Sequence, residues 1–483
     1  MGIARTPSAR EVDFMHLLRS NFAYEPTPSQ ELLMRAMTRF VWSQQDNCLL
    51  AVMGYAGTGK TTLVSALVQS LDAAGLRSVL LAPTGRAAKV LSNYSGRRAY
   101  TIHKKIYFRR KLRTGASVFE LGENKHRYTV FVVDEASMIG DDPYSGSPGS
   151  SLLEDLMRYA YSGDHCRVLL VGDGAQLPPV SCDRSPALDL DWLKGTYPIT
   201  AAMCELKEVT RQSAQSGILQ LATHIRSALS AKEVRTSLPF QLPEQADVQA
   251  ISGEELQDHL ESAFGRYGQE GSLIITRSNK RAYQFNQSIR ARVLFREEEL
   301  SAGDLLMVVS NNYFFLSEDS KAGFIANGDV VEVLRLGSWE EHYGFRFLEA
   351  SLRMVDNVEE PPFEALIWMD SLSCEAASMP QDARQALYAA CLESYSDLPT
   401  KAERLKAVKS DPYFNALQVK FAYAVTCHKA QGGQWPAVFV DQGYLHEDML
   451  DQGYLRWLYT AVSRATEQLF LLNFSPLIID CPE

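Results

Sequence analysis

Residues Gly54-Tyr55-Ala56-Gly57-Thr58-Gly59-Lys60-Thr61 have the types and spacing of a phosphate cradle, G-x-x-x-x-G-K-[ST]. Glycines let the backbone turn tightly enough for successive N–H groups to point inward at an anion. Lys60 can reach the β- and γ-phosphates of a nucleotide, and the Thr61 hydroxyl can hold Mg²⁺. Thr62 follows at the start of a helix, whose N-terminus adds its positive dipole end. Such a loop must be carried by a strand before it and a helix after it, and the flanks supply both. Residues 48–53 are an apolar run, and Leu63, Val64, Leu67, Val68 and Leu71 recur at helical spacing until Gly75. The stretch predicts a nucleoside triphosphate site; it does not say what the energy drives.

Other groups could complete that chemistry. The apolar run 129–133 ends in Asp134-Glu135. On a strand beside the phosphate-loop strand, Asp134 would hold the metal through water and Glu135 would polarise the attacking water. After the run 167–171, the turn 172–179 offers Gln176 as a sensor of the γ-phosphate. Arg211 and Arg464 lie far from the loop in sequence. A cation supplied across a cleft to the transferred phosphoryl group is worth about 10³–10⁵ in rate. Each of these groups, taken alone, also has an ordinary structural role: a strand cap, a tight turn, a solvent-facing arginine.

The elements that position them alternate. From 48 to about 205 strands and helices follow one another as βαβ units, which predicts a parallel sheet covered on both faces. Residues 104–128 interrupt it as a basic, polar β-hairpin insert, and 140–151 as a Gly/Ser/Pro loop. A second α/β block starts near 206, turns β-rich between 301 and 370 with Asn327-Gly328-Asp329 as a turn, becomes helical over 379–409 and resumes at about 418. The expected division is 1–205, 206–300 with 419–483, and an insert at 301–418.

At 483 residues and a net charge of −10, contact with a phosphate backbone must be local. Arg97, Arg98, Lys104, Lys105, Arg109, Arg110, Lys111, Arg113, Lys125 and Arg127 form the one dense basic region. Eight scattered cysteines without a C-x-x-C pair argue against a zinc ribbon or a disulfide framework and for a reducing, cytoplasmic location. No apolar run has the length of a membrane span.

GYAGTGKTT, APTGRAA, TIHKKIY, VVDEASM, GDGAQLPPV, LKEVTRQ, TCHKAQGGQ and YTAVSRA occur in that order over residues 54–466. The set resembles the ordered motifs of superfamily-1 DNA helicases of the B-type branch, the RecD-like and Dda-like family. The resemblance implies two RecA-like motor domains, with a hairpin pin inserted in the first and an SH3-like barrel in the second. It also implies ATP and Mg²⁺ as cofactors, single-stranded and forked duplex DNA as partners, and 5′→3′ movement. Protein partners would be single-strand-binding, replication or repair proteins. Position by position, it makes Gln30 the reader of the adenine edge. It assigns Gly54, Ala56, Gly57, Thr58, Gly59, Lys60, Thr61, Thr62, Gln176, Arg211, Gly432 and Arg464 to the nucleotide, with Thr61 and Asp134 at the metal. It puts Pro83, Thr84, His103, Thr426 and His428 on single-stranded DNA. Phe119 is the wedge candidate of the hairpin, with packing of the hairpin as its other reading. Two rival functions remain open: a metabolic P-loop ATPase or phosphotransferase, and an ATP-dependent nucleic-acid-binding switch without processive unwinding.

Overall fold

The computed structural model of the chain describes residues 8–111, 117–141, 151–180, 182–209, 216–230, 240–243, 245–317, 320, 322–357, 359–476 and 478–480. Two parallel sheets and one antiparallel sheet organise them.

The first lobe is a six-stranded parallel sheet in the order Ala99–Thr101, Arg77–Ala82, Thr129–Val133, Arg167–Gly172, Cys48–Gly54, Thr200–Leu206. Alternate residues of a strand face opposite sides. Leu50 and Val52 accordingly pack with Leu63, Leu67 and Val68 of the helix Lys60–Ala73. Leu49 and Ala51 pack with Leu153 and Leu156 of the helix Leu152–Tyr161 on the other face. The order corrects one expectation. The strand ending in Asp134-Glu135 does not neighbour the phosphate-loop strand; Arg167–Gly172 lies between them. All three are uniformly apolar runs, so nothing in their composition ranks them across the sheet. The extra strand sets the acids two strand spacings, about 10 Å, from the loop strand, which leaves room for phosphates.

Two helices precede the sheet, Ala9–Asn21 and Pro28–Val41. Each opens with a capping box, Ser8 with Glu11 and Thr27 with Gln30, which satisfies two otherwise orphaned backbone donors.

The second lobe is a five-stranded parallel sheet in the order Val248–Ile251, Ala465–Leu472, Trp435–Asp441, Ser272–Thr276, Ala424–Thr426. Between its strands the chain forms an antiparallel sheet in the order Phe363–Trp368, Phe345–Met354, Val330–His342, Leu305–Val308, Val419–Phe421. Its two edges meet: Trp368 N donates to Leu417 O at 2.9 Å, and Leu417 N to Leu366 O at 2.7 Å. Its inward residues Leu306, Val331 and Leu352 share one continuous core with Ile274 and Phe439 of the parallel sheet. The expected boundary at 418 falls short, because Val419–Phe421 pairs in the antiparallel sheet and the parallel sheet resumes at Ala424. The stretch VKFAYAVT carries no turn residue to mark the switch. Helices Gln381–Ser394 and Lys401–Lys409 bury Leu387, Cys391 and Val408 against Phe347 and Trp368.

The hairpin insert pairs Tyr107–Lys111 with Ser117–Leu121 and follows a short helix, Ile102–Ile106, so it begins later than residue 104. No helix among the described residues is long and apolar enough to cross a membrane.

Candidate functional site

Where the two parallel sheets face each other, a cleft of about 1080 Å³ opens over the phosphate loop. Gly57 and Gly59 hold φ +74° and +82°, the left-handed region that a side chain would oppose. Lys60 Nζ donates to Gly54 O at 2.6 Å and to Tyr55 O at 2.9 Å. Buried Thr58 donates its hydroxyl to Tyr55 O at 2.8 Å and accepts from Gln30 Nε2 at its carbonyl at 2.9 Å. Gln30 thus braces the loop while its Oε1 caps its own helix through Thr27 N–H.

Asp134 and Glu135 line the same cleft. Burial, and then the adjacent Glu135, push the Asp134 carboxyl up to about 7, against the opposing pull of the Glu135 N–H and Lys60. Glu135 sits at φ +51°, an uncommon conformation for a residue with a side chain, and its N–H donates to Asp134 Oδ1 at 2.9 Å. Across the cleft, Arg464 is 4% exposed, bonded to Thr460 O at 3.0 Å, to Gly433 O at 3.3 Å and to Ser463 Oγ at 2.9 Å, and it lies 3.9 Å from Glu135 Oε1. Gln176 Oε1 is buried without a hydrogen-bond partner among the described residues.

A second groove, of about 550 Å³, runs between the two lobes and the antiparallel sheet. Pro83, Thr84 and His103 of the first lobe, Asn311 and Asn327 of the antiparallel insert, and His428 and Lys429 of the second lobe line it. At its base the Arg86 guanidinium lies 4.0 Å from the Trp435 ring centroid, across the lobe boundary. Burial holds His103 near pKa 4, hence neutral at physiological pH, and lowers His428 as well.

Two family profiles match the chain: an AAA domain over residues 34–237 and a UvrD-like helicase C-terminal domain over 421–472. The ATP-dependent RecD2 DNA helicase of Deinococcus radiodurans is 35% identical over 175 residues, which cover 36% of this chain and 21% of that protein. The ATP-dependent DNA helicase dda of Enterobacteria phage T4 is 25% identical over 314 residues, 62% of this chain and 65% of that one. These matches make the chain similar to superfamily-1 helicases of RecD and Dda type. It spans about a fifth of the length of the first relative and just under two thirds of the second. Among solved structures, a Bacteroides Pif1 helicase with ADP-AlF3 and ssDNA aligns over 95% of both chains at 16% identity and a TM-score of 0.46.

Gln30, Ala56, Gly57, Gly59, Lys60, Thr61, Thr62, Asp134, Glu135, Gln176, Gly432 and Arg464 all face the cleft, with Gly54 and Thr58 directly beneath. Pro83, Thr84, His103 and His428 face the groove, whereas Thr426 lines a small neighbouring pocket. Arg211 lies outside the described residues. Phe119 is placed only by its backbone, paired with Arg109 in the hairpin. Part of the basic region is otherwise engaged: Arg97 pairs with Asp72, Arg98 with Glu359 at 3.6 Å, and Lys125 with Glu123 at 3.9 Å. None of those three lines the groove. Sequence reasoning missed Trp435, Asn311, Asp173 and Tyr459. Asp173 and Tyr459 sit inside motifs already singled out, three residues before Gln176 and five before Arg464.

Proposed function

We propose that the chain is an ATP-driven DNA helicase that moves 5′→3′ along single-stranded DNA and separates duplex at a fork. One observation carries the reading: the phosphate loop and Asp134-Glu135 of one lobe and Arg464 of the other meet in a single cleft, while a separate groove crosses the same lobe boundary. Lys60 and the loop N–H groups would hold the phosphates. Gln30 would meet the adenine edge, and Gln176 would donate an amide N–H to the γ-phosphate. Glu135 would orient the attacking water, and Arg464, with Arg211, would stabilise charge that develops during transfer.

Mg²⁺ fits the residues present. Asp134 is a buried carboxyl whose proton affinity is raised by a second carboxylate, and the Thr61 hydroxyl lines the same cleft. When bound with ATP, the ion would neutralise phosphate charge.

Pro83, Thr84, His103 and His428 would grip single-stranded DNA, and Thr426 would support the second grip from the adjoining pocket. Binding of ATP favours apposed lobes because Arg464 can reach the nucleotide only then; hydrolysis removes that preference. Alternating the two states shifts one grip against the other. The antiparallel insert, whose edges meet, fits an SH3-like barrel, and the hairpin with Phe119 fits the pin that would split the duplex. The domain division proposed is 1–205, then 206–300 with 422–483, with the barrel and its helices between.

Strand displacement tests the reading. A fork with a 5′ single-stranded tail should be unwound in the presence of ATP, and a 3′-tailed duplex should not. Equal displacement of both, or displacement without ATP, would refute the directional motor.

A further inference from the structure

The second lobe touches the phosphate loop itself, independently of Arg464. Ala56 donates its backbone N–H to the Tyr459 hydroxyl at 2.8 Å, and that hydroxyl donates to Asp173 Oδ2 at 2.7 Å. Asp173 Oδ1 accepts from Ala175 N at 2.9 Å, and Lys60 Nζ stands 3.8 Å from Oδ2. Tyr459 rides on the helix Gln452–Val462 of the second lobe; the loop, Lys60 and Asp173 belong to the first. Tyr459 and Asp173 are 1% and 2% exposed. Burial first, and Asp173 second, keep the Tyr459 hydroxyl protonated, so it remains a donor to the carboxylate. Two further contacts cross the same seam: Arg226 lies 4.6 Å over the Tyr55 ring, and Arg456 donates to Gly174 O at 2.6 Å.

We propose that Tyr459 is a positioning residue that couples the separation of the lobes to the setting of Lys60. The proposal rests on the nucleotide-cleft reading above and deepens it. The reason is hydrogen-bond accounting. With the lobes apposed, the tyrosine oxygen uses one acceptor and one donor site. Asp173 is then shared among Tyr459, Ala175 N–H and Lys60, and the ammonium stays on the loop carbonyls. If the helix withdraws, the buried carboxylate loses a charge-assisted hydrogen bond. Oδ1 keeps the Ala175 N–H, but Oδ2 is left one donor short, and Lys60 is the cation 3.8 Å from it. The ammonium is drawn toward Asp173, away from where phosphates would meet it. Lobe position therefore sets how available Lys60 is to ATP. By linkage, phosphates that take Lys60 favour apposed lobes to the same extent. Single-stranded DNA lying in the groove between the lobes enters the same equilibrium.

The experiment measures the affinity of the full chain for a non-hydrolysable fluorescent ATP analogue, with and without saturating oligodeoxythymidylate. In the wild type the oligonucleotide should tighten ATP binding about fivefold or more, within the usual range of site-to-site coupling. Tyr459→Phe keeps the ring and its packing but removes the hydroxyl; Asp173→Asn keeps the shape but removes the charge that competes for Lys60. Each should bring the ratio close to one, and the double variant should go no further, because both changes break the same link. Either single variant suffices should the other fail to fold. Variants that retain the wild-type ratio, or a wild-type ratio of one, would overturn the coupling role while leaving the cleft reading intact. A wild type that does not bind the analogue at all would sink both.

Discussion

At the scale of single residues, Arg464 makes the sharpest test of the cleft. Its guanidinium is buried among acceptors of its own lobe and faces Glu135 of the other. If it stabilises charge that appears only during phosphoryl transfer, Arg464→Ala should lower kcat about 10³-fold or more while ATP affinity changes only a few-fold. Arg464→Lys should stay well below the wild type, because an ammonium cannot reproduce the planar fork that bonds Thr460, Gly433 and Ser463. Steady-state kinetics with saturating single strand would check both; unchanged kcat in the alanine variant would remove Arg464 from the chemistry. Residues of this kind were legible because their motifs fix both type and spacing. Lys60, Asp134, Glu135 and Gln176 come together as the pattern demands. Tyr459 was not legible. A tyrosine on an apolar helix face reads as core until the partner across the lobe boundary is seen, and that partner, Asp173, is some 286 residues away in sequence.

At the scale of elements, what could be read depended on the local signal. The phosphate-loop strand and helix, the hairpin and the long antiparallel strands carry periodicity or turn residues. Strand order carries none, so the position of Thr129–Val133 relative to Cys48–Gly54 had to come from the fold. The helix Pro28–Val41 has its start encoded in Thr27-Pro28-Ser29-Gln30, a capping box with proline in the first turn, so Gln30 carries a local signal as well as a place at the cleft. Two elements yield tests. Asp329, in the turn before the strand Val330–His342, has its carboxyl pushed up to about 7, first by burial, then by Asp356, against the Ala326 N–H and Lys104. A raised acid contributes stability below its unfolded value near 4, which is lost as pH rises through about 7. Asp329→Asn removes that loss while its amide oxygen still accepts from Ala326 N, a 2.8 Å bond in the wild type. The variant should therefore gain on the wild type between pH 5 and pH 8, by at most about 3 kcal/mol, since about two pH units of the shift fall in that window. Denaturant titrations at both values decide it; a pH-independent difference would contradict it. Gly432 is the second case. It holds φ +73°, and a Cβ there would come within 2.9 Å of Ala87 Cβ and 3.2 Å of Thr84 Oγ1, both on the first lobe. Gly432→Ala should hold the lobes apart, so ATP turnover should fall at least tenfold; the left-handed φ adds strain of about 1 kcal/mol that lobe separation cannot relieve, so the melting temperature should fall by only a few degrees. Normal turnover would mean that the lobes do not need this approach.

At the scale of the whole molecule, the proposed motor requires a net charge of −10 to coexist with a polyanionic track. The groove resolves the conflict by being sparse in charge. Of the described cations, Arg86 and Lys429 line it, and its histidines are held toward the neutral form by burial. Lys429 is further tied to Asn327 Oδ1 at 2.5 Å, and Arg86 to the Trp435 ring. On the proposed reading, a strand in this groove would be held more by shape, stacking and neutral donors than by ion release. The salt dependence is a direct measure of that balance, because the slope of log K against log salt is about −0.7 per phosphate neutralised on a single strand. Two or three contacts predict a slope of roughly −2, and Lys429→Ala should make it shallower by about 0.7. A slope of −5 or steeper would place the strand elsewhere, along the basic hairpin that begins at Tyr107, and would make the groove between the lobes a mere consequence of their packing. Fluorescence anisotropy of a labelled oligodeoxythymidylate across a salt series, on wild type and Lys429→Ala, separates the two paths, since a hairpin track would leave the Lys429→Ala slope equal to that of the wild type.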